Sequence, residues 1–183
     1  MTEAFEAAEI RSAREATYPP PYPEAWYVVA RSKDVAAEPF QARVAGNDLV
    51  LFRDRGGHVR AIDAYCPHMG ANLADGSVRG GCIECPFHRW RIDGEGRVAQ
   101  MPGGQRPEPR HRTSSWAVEE LHGWVCIYQR HDDLRPGPAP NPPYRPERLP
   151  EIERGDLRFL GEHDAGVVHM HLLEFVENSV DFQ

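Results

Sequence analysis

With 183 residues, 40% of them apolar, the chain is long enough to bury a real core. A net charge of −7, scattered arginines and Lys33 as the sole lysine argue against nucleic acid or an anionic membrane surface as partner. No window has the length of a membrane span, and the first twenty residues show neither a secretory nor a twin-arginine pattern, so a cytoplasmic location is expected.

Residues 1–23 read as an N-terminal arm: an Ala/Glu/Arg-rich stretch stopped by the prolines of Tyr18-Pro19-Pro20-Pro21-Tyr22-Pro23. From residue 24 to 130 come short runs rich in β-branched and aromatic residues, "WYVVA", "FQARV", "LVLFRD" and "HVRAIDAY", separated by turn formers such as "AGND" and "RGGH". The pattern continues through "SVRGGCIECPF", a hairpin at Asp93-Gly94-Glu95-Gly96, "SSWAVEEL", and "GWVCIYQ" after a turn at His122-Gly123. These predict a compact antiparallel all-β domain. Residues 131–150, with seven prolines between Pro136 and Pro150, are expected to form a stiff extended linker that cannot join a sheet interior. Residues 151–183 begin a second unit, and thirty-odd residues do not complete one, so the chain is expected to stop inside it.

Cysteines 66, 82, 85 and 126, without a visible export signal, read as ligands or core thiols rather than as a disulfide framework. Cys66-Pro67-His68 and Cys85-Pro86-Phe87-His88 each combine one thiolate donor with one imidazole, sixteen residues apart. Such donors suit zinc or an iron–sulfur centre. A zinc knuckle usually pairs Cys with Cys and His with His, whereas mixed loops after strand-like segments favour a two-iron cluster with Cys66 and Cys85 on one iron and His68 and His88 on the other. Two ferric ions, two sulfides and two thiolates sum to zero charge, so an electron is accepted more readily than by an all-thiolate cluster; the potential rises from about −400 mV to between about −150 and +300 mV. Pro67 and Pro86 would stiffen the loops, Gly70, Gly80 and Gly81 would allow backbone N–H groups to reach sulfur, and Met69, Phe87 and Trp90 would exclude water.

"CPHMGANL" with "CPFHRWRIDGEGRV" resembles the Rieske [2Fe-2S] motif in the form found in Rieske non-haem iron oxygenases. In the Rieske subunits of respiratory and photosynthetic complexes each loop carries a further cysteine, and the corresponding places here are Ala71 and Phe87. "YPPPYPEAWYVVARSKDV" and "HLLEFVENSVDF" are similar to the cholesterol 7-desaturase (Neverland type) and 3-ketosteroid 9α-hydroxylase group of those oxygenases. One departure is Arg89, where a glycine is common after the last ligand histidine.

The resemblance implies a mainly β fold, a Rieske [2Fe-2S] antiparallel β-sandwich or small barrel over residues 24–130, followed at 151–183 by the truncated start of an α+β helix-grip catalytic domain. There the family holds mononuclear Fe(II) through two histidines and a carboxylate. Glu177, Asn178 and Asp181 match the start of its Glu-Asn-x-x-Asp-x-x-His motif, whose histidine would fall at position 184. By resemblance, Asp181 is the aspartate bridging the Rieske histidine of one subunit to the catalytic iron of the next in a head-to-tail homotrimer. The implied activity is O2-dependent desaturation or hydroxylation of a hydrophobic sterol- or steroid-like substrate. A reductase or ferredoxin would deliver single electrons, ultimately from NAD(P)H, and the chain as written would hold the relay without the mononuclear iron ligands. The rivals are a free-standing Rieske ferredoxin-type carrier and a zinc-stabilised binding module.

Cys82 and Cys126 are expected to be core thiols of strands, and Trp26, Trp116 and Trp124 core aromatics. His169 and His171 read as structural. His58, His111, His122, His131 and His163 sit in polar or turn contexts where exposure is the ordinary outcome.

Overall fold

Strand β3 (Asn47–Arg53) sets the layering. Its stretch Leu49-Val50-Leu51-Phe52 is fully buried, and because successive strand side chains point to opposite faces, Leu49 and Leu51 enter one apolar cluster while Val50 and Phe52 enter another. A continuous apolar run is what a strand covered on both faces requires. Each such side chain contributes about 1.5–3 kcal/mol by leaving water.

The structure, a computed structural model, describes residues 22–130, 138–139, 141–158, 160–161 and 166. Residues 24–158 group as one compact unit, and 1–23 with 159–183 as a second. Residues 1–21 of the predicted arm, His131, His163, His169, His171, Glu177, Asn178 and Asp181 lie outside the described residues.

In the larger unit, β3 pairs antiparallel with β2 (Phe40–Val44) and β4 (Val59–Asp63), and β9 (Ser115–Trp116) completes that sheet beside β4. A second sheet has the order β1 (Ala25–Arg31), β11 (Trp124–Gln129), β10 (Val118–Leu121). The first core is formed by Leu49, Leu51 and Ala61 with Val125 and Ile127 of β11. The third sheet is a meander of β5 (Ser77–Arg79), β6 (Cys82–Glu84), β7 (Arg91–Ile92) and β8 (Val98–Gln100). Its Ile83, Ile92 and Val98 meet Val50, Phe52 and Ile62 in the second core, which also contains Cys66 and Cys85. The fold is mainly β and antiparallel, as the run pattern predicts.

"SSWAVEEL" reads as one strand, but the structure divides it at Ala117: β9 pairs with β4 and β10 with β11, so one stretch serves two sheets. At Gly96 the predicted hairpin depends on glycine, since φ is +77° and a Cβ would lie 2.2 Å from the Thr113 carbonyl oxygen. Asp93 closes that turn by accepting the N–H groups of Glu95 and Arg97. His122 and Gly123, both at positive φ, form the two-residue turn into β11.

The described part of the proline-rich stretch has no regular structure before the one-turn helix α1 (Pro150–Glu153). It is tied to the strands by Trp26 Nε1 donating to the Tyr144 carbonyl at 2.9 Å and by the Leu149 N–H donating to His122 Nε2 at 3.0 Å. Trp116 is buried; Trp26 and Trp124 are only partly so.

Candidate metal centre

Two loops that rest on the second core carry the Cys/His pairs, and they share one hydrogen-bond frame. In the first, Cys66 N–H donates to the Ala71 carbonyl and Gly70 N–H to the Cys66 carbonyl, both at 2.9 Å. In the second, Cys85 N–H donates to the Trp90 carbonyl at 2.8 Å and Arg89 N–H to the Cys85 carbonyl at 3.1 Å. Cysteine opens each loop, proline follows it, and the fifth residue sits at positive φ: +72° at Gly70 and +58° at Arg89. The histidines differ by one step, third in the first loop and fourth in the second.

That frame brings the four predicted ligands together in pairs. Both cysteines are buried, and the thiols lie within hydrogen-bond reach of one another. Burial is the largest influence on Cys66 and pushes its thiol up to about 11; the neighbouring Cys85 adds to this, and the backbone N–H groups of His68 and Met69 oppose it. A thiolate here needs a nearby positive centre, which a bound ferric ion would supply. The imidazoles lie on the outer side, both exposed, with Nδ1 of His68 3.1 Å from Nδ1 of His88 and the rings inclined at 70°. Two nitrogens converging in this way can share one metal ion. The donor set fits a cluster that takes two thiolates on the inner iron and two imidazoles on the outer.

Trp90 stacks on His68 at 4.3 Å between centroids and 14° between planes, and Phe87 lies 4.1 Å from His88, so each imidazole has an aromatic neighbour. Trp90 also meets His111 at 5.1 Å. Sequence context reads His111 simply as an exposed histidine; the loop between β8 and β9 brings it back against Trp90, a return that local sequence does not encode.

Two further expectations are corrected. Met69 and Phe87 are 68% and 63% exposed and so do not wall the site from water. Gly80 and Gly81 turn β5 into β6 beside Arg55, where a Cβ on Gly81 would lie 2.5 Å from the Arg55 backbone nitrogen. Cys82 does not face the core. Ile83 takes the inward position of β6, so strand alternation turns Cys82 outward, where it is half-buried along a cleft of about 340 Å³ with Asp54, Arg55 and Asp93. Cys126 is buried in β11.

Two mixed Cys/His loops on stacked antiparallel sheets, thiols inward and imidazoles outward, define an iron–sulfur protein of the Rieske class. The chain belongs to that family: a family model for the Rieske [2Fe-2S] domain matches residues 25–119. Its likeness lies among the oxygenases. It is 34% identical over 185 residues to the oxygenase component of a 3-ketosteroid-9-alpha-monooxygenase from Rhodococcus rhodochrous, covering 99% of this chain and 47% of that protein. It is 35% identical over 165 residues to a cholesterol 7-desaturase from Bombyx mori, covering 89% of this chain and 34% of that one. Dicamba monooxygenase bound to dicamba has a similar fold, with a TM-score of 0.55 at 30% identity over 57% of this chain and 34% of that one. The chain thus spans half or less of the length of these relatives. No helix among the described residues is long and apolar enough to cross a membrane.

Proposed function

We propose that Cys66, His68, Cys85 and His88 hold a Rieske [2Fe-2S] cluster, and that residues 24–130 are the electron-receiving domain of an oxygenase. When bound, such a cluster supplies one-electron redox chemistry at a moderate potential, about −150 to +300 mV. The carrying observation is the two-and-two pairing, buried thiols beneath imidazoles whose Nδ1 atoms are 3.1 Å apart. Cys66 and Cys85 keep sulfur out of water, the N–H groups of His68 and Met69 stabilise the Cys66 thiolate, and Trp90 and Phe87 hold the imidazole planes.

The oxygenase reading, rather than that of a free carrier, is supported by similarity continuing past residue 119 over 99% of the chain. In this reading residues 131–150 connect to a catalytic domain beginning at 151–183. There Asp181 links a Rieske histidine to a mononuclear Fe(II) site in the next subunit of a homotrimer. The names of the two steroid-acting relatives point to a sterol or steroid substrate undergoing hydroxylation or desaturation, with O2 and with NAD(P)H electrons delivered by a reductase or ferredoxin. A cytoplasmic location suits such a donor.

Anaerobic reconstitution of the chain with ferrous iron and sulfide tests the site. Two irons and two labile sulfides per chain are expected, with an EPR signal on dithionite reduction and Mössbauer spectra showing inequivalent irons. His88→Ala should abolish the chromophore. Binding of zinc with no iron–sulfur chromophore would overturn the reading.

A further inference from the structure

We propose that His111 is a positioning residue of this centre: through Trp90 it fixes the ring plane of His68 and so slows the loss of iron from that side. The inference rests on His68 being a cluster ligand and adds a residue, outside both loops, that governs how firmly it is held.

The route begins at Trp90. Its carbonyl closes the second loop by accepting from Cys85, yet its ring lies on His68 of the first loop, 4.3 Å away between centroids and 14° from parallel. One side chain thus reaches from one loop to the histidine of the other. Nδ1 of His68 converges on Nδ1 of His88, so turning the His68 imidazole about its Cβ–Cγ bond would swing Nδ1 off the metal. A ring stacked on its face opposes that turn. His88 is held differently: its aromatic neighbour Phe87 is 63% exposed, whereas Trp90 packs against the second core.

His111 keeps Trp90 in place. Its ring meets the indole at 5.1 Å between centroids and 51° between planes, and it is itself locked. Its backbone N–H donates to the Glu108 carbonyl at 2.9 Å, its carbonyl accepts from the Val98 N–H of β8 at 3.0 Å, and its Nδ1 accepts the Glu108 N–H at 3.1 Å. An ordinary surface histidine leaves its ring free to rotate. Here backbone and ring are pinned together, at a cost in side-chain entropy, and Trp90 gains a rigid neighbour. The Nδ1 bond holds the loop and the ring contact holds Trp90, so the two roles are separable by substitution.

His111→Asn keeps a side-chain acceptor for Glu108 and loses the ring; His111→Phe keeps a ring and loses the acceptor. In the iron-free chain, NMR reads the ring current of Trp90 on the carbon-bound protons of His68. An upfield shift is expected in wild type and His111→Phe, and its loss in His111→Asn. From the reconstituted chain, a chelator should remove iron roughly three- to ten-fold faster in His111→Asn than in wild type, with His111→Phe close to wild type. Pulsed EPR of the reduced cluster should show one of the two imidazole nitrogen couplings altered in His111→Asn and the other unchanged. Wild-type proton shifts and iron-release rates in His111→Asn, or losses in His111→Phe as large as those in His111→Asn, would overturn the positioning role alone. A wild-type chain that forms no cluster would instead overturn the ligand assignment, while the proton shifts still report whether His111 holds the stack.

Discussion

Arg89 and Gly96 both occupy left-handed backbone, with opposite expectations on substitution. Arg89→Gly should stabilise the fold by about 1 kcal/mol, because it relieves the positive φ and the exposed ion pair with Glu84 that it removes is worth little; a higher urea midpoint checks this. Gly96→Ala should cost about 2–3 kcal/mol or more, since its new methyl meets the Thr113 carbonyl. The four proposed ligands stood out in the sequence because few chemistries call for thiolate and imidazole at these spacings. Arg89 was visible as an oddity, though its conformation was not. His111 against Trp90 and the outward turn of Cys82 were hidden, the first depending on a loop's return, the second on which of two alternating faces is covered.

Among the elements, β3 shows how the two cores divide their duties. Leu51→Ala and Phe52→Ala should each cost about 2–5 kcal/mol. Phe52 shares its cluster with Cys66 and Cys85 while Leu51 does not, so iron content after reconstitution should fall mainly in the Phe52 variant. Arg53 at the end of β3 reaches across to Glu120 of β10, with Nη2 2.9 Å from Oε1. Its hydrogen bonds are the largest influence on Glu120, outweighing burial, and with Ser32 they hold the carboxyl below its ordinary range. A carboxylate with a depressed folded pKa contributes stability above its unfolded pKa, about 4.3, and loses it as pH falls through the folded value. Urea midpoints of wild type should therefore decline more steeply than those of Glu120→Gln between about pH 5 and pH 3. The strand runs and turns were readable from alternation and glycine placement. The change of sheet at Ala117 was not, because "SSWAVEEL" carries no glycine, proline or other turn former between Trp116 and Val118 and only its partners divide it.

At the scale of the molecule, the proposed ligands come from two loops, so bound metal would tie those loops to a single state. Removing iron with a chelator should lower the unfolding free energy by about 3–4 kcal/mol, the linkage value for a ligand present at 100 to 1,000 times its dissociation constant. Hydrogen exchange should quicken at 66–71 and 85–90, while β1, β2, β10 and β11, which line the other core, stay protected. The repeated frame of the two loops carries one last implication. Identical braces receive histidine out of step, so Phe87→His combined with His88→Phe should yield a colourless protein of ordinary solubility and sheet content. Architecture in this module is thereby separable from metal capture: the braces accept either order, and a single-step transposition is enough to tell a vessel from its charge.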